Sequence, residues 1–578
     1  MADHDPRGGA PDTIEQGRRL IRLGGDKGLS LAERIAERFD RLAWRTPLHG
    51  LRLRGRHPLK LVAVPDDPIA GDAARGAALF GGQLVLRGEA RAIDALPLAK
   101  PDFSRGFADH LHSFAWLRDL STVATRAQGA PIAEQMLRAW LAQHGEKIAE
   151  PAWRGDLVGR RILFWVAHAP LILSSADLVY RSAVLAAIAR GARHLDATAD
   201  KLQPGAGRVS AFCGMTMAGL LLAGGDPRRR AGEAGLERTL GQTVFADGGA
   251  VQRAPMAQLE IIELLAMLRE GYRARRLDVP GFIETVLAQM VPALLGVTLG
   301  DQALSSWQGG GPVAAERVAA VIAASAVRTR PLKQARDWGY QRLAAGQAVL
   351  IIDAAPPPVA RLVEGGCGST LAFELSDGAQ RLIVNCGGAR CLHASVPAGL
   401  AEGLRTTAAH STLIVGDSNS TAIHGDGTLG KGVAEVELSR QESDASSRIE
   451  ASHDGYARRF GFIHRRQLLL SGDGRDLRGE DMLLPTGRKP KRPTTGFAVR
   501  FHLGLGVDAS PTTDGLAALL RLPGGALWQF RCKGGTLALD DSLWIDAEGR
   551  PHATRQLVVT GEAPAGGASI SWALKRAR

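Results

Sequence analysis

Apolar positions along this chain repeat with two different periods. Between Leu31 and Val327 they recur three and four residues apart, in 31–45, 107–124, 131–145, 159–173, 178–195, 209–225, 259–276, 282–299 and 314–327, the spacing of helices with one buried face. The separators "GAPIAE", "LQPGAG" and "AGGDPRRR" are short and rich in Gly and Pro, so successive helices should pack as antiparallel hairpins. No unit repeats at a fixed length, which favours an irregular bundle or ring of hairpins over a regular solenoid. After Arg342 the pattern alternates, as in "AVLIIDAAP", "TLAFELSDG", "QRLIVNCGG", "VAEVELSRQ" and "RQLVVTGEA". The turn signals "SDG", "GDG", "PGG" and "KGG" suit tight hairpins. The expected architecture is multidomain α and β: a flexible N-terminus over 1–30, a helical domain over 31–335 and a large antiparallel β-sandwich over 345–578.

Composition narrows this little. The 578 residues are 45% hydrophobic and 22% charged, a globular balance with room for two large domains. The net charge of +12 comes mainly from arginine, whose planar fork suits carboxylate, sulfate or phosphate, although abundant Ala, Gly and Arg also fit a coding bias. Five cysteines without a C-x-x-C pair exclude a disulfide scaffold. The polar start "MADHDPRGGAPDTIEQ" does not read as a secretory signal, and "ILFWVAHAPLIL", interrupted by His168 and Pro170, is too short to span a bilayer. No membrane anchor and no nucleic-acid motif are expected. The cationic stretch 486–496 reads as a solvated loop.

A helical domain against a sandwich leaves a groove, a usual place for a ligand. Four stretches carry candidate chemistry. In "FADGGAVQRAPMAQLEIIELL" a turn precedes a helix starting near Pro255, and Arg253 at its entrance is placed to meet an anion or simply to be solvated. In "GGCGSTLAFELSDGAQRLIVNCGG" the hairpin brings Cys367 towards Asn385, a weak zinc signal beside the alternative of structural cysteines. In "RTTAAHSTLIVGDSNST" the candidate is His410. In "EASHDGYARRFGFIHRRQLLL", Tyr456, His464, Arg465 and Arg466 suit proton transfer beside an anionic substrate, or equally a charged strand edge.

Taken in order, the "DGG…R-x-P" helix entrance, the "LAFEL…LIVNCGG" hairpin, the "TTAAHSTLIV" strand and the "HDGY…HRR" stretch resemble the bacterial heparinase II/III family over roughly residues 100 to 575. The resemblance implies an incomplete α/α toroid followed by a β-sandwich. It implies β-elimination on an acidic, uronate-containing polysaccharide lying between them, and a cell-envelope or periplasmic location, with the cytoplasm as alternative because no signal peptide is visible. In that chemistry a base removes the proton beside the uronate carboxylate and an acid protonates the leaving oxygen. His410, Tyr456 and His464 are then the catalytic candidates, and Arg253, Arg465 and Arg466 the substrate-binding ones. No cofactor is expected beyond a weak zinc possibility near Cys367 and His410. The chain departs from the family pattern where an Asn-His pair is replaced by Ala206 and Gly207, a Tyr-His pair by Ala257 and Gln258, and a His-x-His-x-Asp run and a further Asp by Gly365, Cys367, Ser369 and Asn385. These losses motivate the alternative of a catalytically degenerate polysaccharide-binding or envelope protein that kept the fold.

Overall fold

The computed structural model describes residue 14 and residues 17–22, 47–55, 60–96, 103–363, 365–487 and 493–577. The helix expected over 31–45 and most of the cationic loop at 486–496 lie outside these residues, as does most of the N-terminal 1–30.

Helices run from Pro47–Arg52 to Ala315–Ser325 and form an incomplete α/α toroid. At its centre lies Ala206–Leu221, buried almost throughout, flanked by Gly155–Ala167, Asp226–Thr243 and Pro255–Ala274. Glycines permit the close approach: a Cβ on Gly214 would lie 2.5 Å from the Gly159 Cα, and one on Gly159 would lie 2.1 Å from the Ser210 carbonyl oxygen. The helix Asp226–Thr243 is absent from the sequence expectation, because its packed stripe is Gly232, Gly235, Leu236, Thr239, Leu240 and Thr243 and carries little apolar signal. The single helix expected over 107–124 is two, Arg105–Ser113 and Trp116–Val123. Phe114 breaks them in a left-handed conformation (φ 63°) and lodges its ring 5.0 to 5.6 Å from Trp116, Trp140 and Trp165. Aromatic burial overrides helical continuity there.

The C-terminal part is a sandwich of two antiparallel sheets. The nine-stranded sheet runs Gly17–Arg22, Glu435–Glu442, Ser446–His453, Phe462–Ser471, Asp476–Pro485, Ala568–Arg576, Leu527–Lys533, Ala517–Arg521, Asp508–Pro511. The eight-stranded sheet runs Thr536–Ile545, Pro551–Pro564, Thr494–Leu503, Gln380–Val384, Phe373–Asp377, Ala348–Asp353, Tyr340–Ala345, with Leu413–Val415 also paired to Thr494–Leu503. Inward residues of both sheets, among them Phe373, Leu468, Phe501, Phe530 and Trp572, share one apolar core. Two expectations differ from what is observed. Residues 17–22, placed in a flexible terminus, form an edge strand in register with Glu435–Arg440. The "KGG" turn closes no hairpin, since it carries the chain from the nine-stranded to the eight-stranded sheet. Gly378, Gly474 and Gly525 do sit in tight hairpins with positive φ.

The toroid meets the eight-stranded sheet through polar bonds. Gly300 N–H donates to Ser376 Oγ (2.9 Å), Ser306 N–H to Glu374 (3.1 Å), and Arg381 Nε to Asp301 (2.7 Å). No helix among the described residues is long and apolar enough to cross a membrane.

Candidate functional site

Arg253 sits at the entrance of Pro255–Ala274 but does not face solvent. It is buried at a φ of 54°, and its guanidinium is spent on the linker and sandwich: Nε donates to Trp338 O (2.7 Å), Nη1 to Pro356 O (2.6 Å), and Nη2 to the buried Asp353 carboxylate. Asp353 also accepts from Ser369 Oγ (2.8 Å), and Gln308 bridges Ser369 (2.9 Å) to the Cys367 N–H (3.0 Å). The expectation of an anion-meeting arginine is therefore replaced by a buried pair that ties the toroid to the sandwich.

His410 is buried at the end of a short turn, with Nδ1 donating to the Thr406 carbonyl (2.8 Å). Burial pushes its pKa down to about 4, so it is neutral at physiological pH. Cys367 and Asn385 do not join it as ligands. The Asn385 amide donates to Glu374 (3.1 Å) and its Oδ1 accepts from Ser411 N–H (3.0 Å), while burial holds the Cys367 thiol up at about 12. Among the described residues no three of His, Cys, Asp and Glu converge as a metal site.

The fourth stretch divides by strand alternation. His464 and Arg466 point inward and Arg465 outward, so Arg465 and Arg466 lie on opposite faces of the sheet and cannot grip one ligand together. His464 and Arg466 share a partner the sequence reading did not name, Asp481 on the neighbouring strand. That carboxylate takes His464 Nε2 (2.8 Å), Arg466 Nε (2.7 Å) and Nη2 (3.1 Å), and Trp572 Nε1 (2.9 Å). Burial alone would raise Asp481, but Arg466 and His464 outweigh it and hold the carboxyl below its ordinary range. Arg466 also donates to the carbonyls of Leu371 (2.7 Å) and Ser411 (2.8 Å). Tyr456 is buried, donates to Leu413 O (2.9 Å), and burial drives its phenol pKa up. Arg465 is half-exposed, 3.7 Å from Glu450.

Around the replaced positions of the toroid the charges are paired. A Cβ on Gly207 would lie 3.3 Å from the Asp156 Cβ. Asp156 binds Arg154 (2.5 Å), which also holds Asp109 (2.9 Å). On Pro255–Ala274, one turn beyond Ala257, Glu260 pairs with Arg160, and Glu263 accepts from both Arg118 and Arg317. Arg118 further binds Asp67 (2.7 Å), which His168 also reaches (3.1 Å). Burial would raise Glu263, yet Arg317 and Arg118 hold it far below the ordinary carboxylate range. No motif marks these partners, because they stand as far apart as 145 positions in sequence.

Comparison with known proteins agrees with this architecture. Residues 327–573 match the family described as "Heparinase II/III-like, C-terminal". The chain is 31% identical over 546 residues to "FtsZ-localized protein C" of Caulobacter vibrioides, covering 92% of each. Among solved structures, "Heparinase III" superposes with a TM-score of 0.68 at 13% identity, covering 96% of this chain and 93% of that one. The heparan sulfate lyase HepC of Pedobacter heparinus superposes with a TM-score of 0.57 at 14% identity, covering 96% and 92%. The chain belongs to the heparinase II/III-like family, with the toroid-and-sandwich fold of its lyases.

Proposed function

We propose that this chain is a non-catalytic member of the heparinase II/III-like family that uses the lyase fold as a binding body at the site of cell division. One observation carries the first half: His410, Tyr456, His464, Arg253 and Arg466 are all buried, and each is bonded to a partner within the protein. β-Elimination needs a base and an acid that reach the sugar, and cations with field to spare for its carboxylate. Here the imidazoles and phenol are sealed among backbone carbonyls and carboxylates, and the arginines beside the replaced toroid positions are neutralised by Asp109, Asp156, Glu260 and Glu263. The second half is supported by the likeness to "FtsZ-localized protein C" across 92% of the chain.

The competing reading, a lyase acting on a uronate polysaccharide held between toroid and sandwich, is favoured by family and fold alone. Incubation of folded protein with a panel of uronate polysaccharides separates the two through the ultraviolet absorbance of the unsaturated product. The expected outcome is no absorbance above a boiled control; turnover of any polymer removes the non-catalytic reading. A fluorescent fusion should gather at mid-cell and disperse when FtsZ is depleted. A uniform distribution removes the division-site reading, and fractionation of cytoplasm from envelope fixes the compartment.

A further inference from the structure

The eight-stranded sheet meets the toroid through Glu374, Ser376 and Arg381, so the outer face of the nine-stranded sheet looks away from it. Cross-strand register lays the outward side chains of that face in rows, two residues or about 6.8 Å apart along the strands. One row runs Gln441, Arg448, Leu469, Arg478, Ala573, Arg531, and the row beside it runs Ser439, Glu450, Gln467, Glu480, Ser571, Lys533. On Ser446–His453 and on Asp476–Pro485 an arginine of the first row therefore stands next to a glutamate of the second.

We infer that this face pairs with the same face of a second copy of the chain, in a two-fold dimer whose axis runs across the strands between these two rows. That rotation sets each row of one copy on the other row of its mate. Arg448 then faces the copy's Glu450, Arg478 faces its Glu480, and Leu469 lies on the aliphatic stem of its Gln467. Symmetry makes each contact twice, which gives four ion pairs between the copies. A two-fold axis along the strands would keep each row over itself and offer the arginines no glutamate. A partner of one charge sign would be attracted by one row and repelled by the other, so the alternation is matched by this face turned over on itself. The one like-charge meeting, Arg531 against Lys533, falls at the end of the rows, where solvent screens it.

The charged groups are available for these contacts. Among the described residues Glu480 forms no ion pair, and Arg478, with its side chain 67% exposed, holds only Asp476 (2.8 Å). Arg448 and Glu450 reach each other along one strand at 3.3 Å, an exposed contact that yields readily to a better placed partner. Ala573, Ser571 and Gly479 leave a shallow depression of about 630 Å³ beside Arg478 and Glu480, with room for the guanidinium of the copy's Arg478. Six strands at about 4.8 Å and eight residues at about 3.4 Å make a face of about 29 by 27 Å, near the ~800 Å² that each partner gives to a standard interface. Two copies joined this way carry their toroids on opposite sides, so the dimer is bivalent towards whatever the toroid side binds.

Sedimentation velocity of the full chain at low ionic strength tests the assignment. The chain should sediment as a dimer at tens of micromolar and dissociate as salt is added. Arg478→Glu, which opposes two acidic side chains at both symmetry-related contacts, should weaken dimerisation at least tenfold. Arg478→Glu combined with Glu480→Arg restores opposite charges across the interface and should bring the dimer back. Neither side chain is buried, so the circular dichroism spectrum should be that of the native chain in both variants. A monomer at every concentration up to about 100 μM overturns the inference, as does a dimer that Arg478→Glu leaves intact. A folded double variant that stays monomeric overturns the two-fold across the strands.

Discussion

Arg253 shows how a single residue changes meaning between sequence and structure. An arginine before a helix-starting proline looks like a solvent-facing anion binder, and nothing local reveals that Asp353, a hundred positions on, has claimed it. Removing the guanidinium would strand a buried carboxylate, a loss of about 3–5 kcal/mol. Arg253→Ala should therefore lower the urea midpoint steeply, by much more than Arg465→Ala on the outer face of the sheet. Equal, small losses would mean that the pair does not hold the junction. The same limit explains the rest of the candidate set. Residue types and order pointed to His410, Tyr456, His464 and Arg466, and strand alternation alone separated Arg465 from Arg466. Their burial depends on Asp481 and on carbonyls from distant strands, which no spacing rule exposes.

Among elements, legibility followed chemistry. Helices with a Leu, Ile or Val stripe and strands with alternating aliphatics stood out from sequence, whereas Asp226–Thr243 packs through Gly and Thr and stayed hidden. Gly159 and Gly214 make the same point in energetic form. In a helix interior Gly→Ala should stabilise by about 1 kcal/mol through propensity. At Gly214, however, the new methyl would lie 2.5 Å from the Gly159 backbone, and overpacking costs about 1–3 kcal/mol. Gly241, exposed in Asp226–Thr243, has nothing within 4 Å of a Cβ. The unfolding midpoint should fall for Gly214→Ala and rise for Gly241→Ala; two shifts of the same sign would contradict the close helix crossing.

The whole molecule is bound across its junction by Arg253 to Asp353, Arg381 to Asp301 and the Asp247 carboxylate that caps the N–H groups of Asp337 (2.7 Å) and Trp338 (2.8 Å). Neither half can unfold without opening these bonds, so calorimetry at neutral pH should give one transition. Acid then tests the coupling. Burial lowers His112 in the toroid to about 3, and in the sandwich lowers His410 to about 4 and His502 to about 3, against about 6.5 when unfolded. A group whose folded pKa is depressed in this way contributes fully above about pH 6.5, and that contribution drains away as pH falls towards the folded value. Asp481 and Glu263, also depressed, add losses of the same sign only below about pH 4. Glu374, which burial raises to about 7, opposes this between pH 7 and about 4.5, but the three histidines together outweigh one carboxyl, so the melting temperature should be lower at pH 4 than at pH 7. Because His112 and His410 act in the two halves over the same interval, the transition should move without splitting. Two separated peaks at pH 5 would show that the junction does not couple toroid to sandwich.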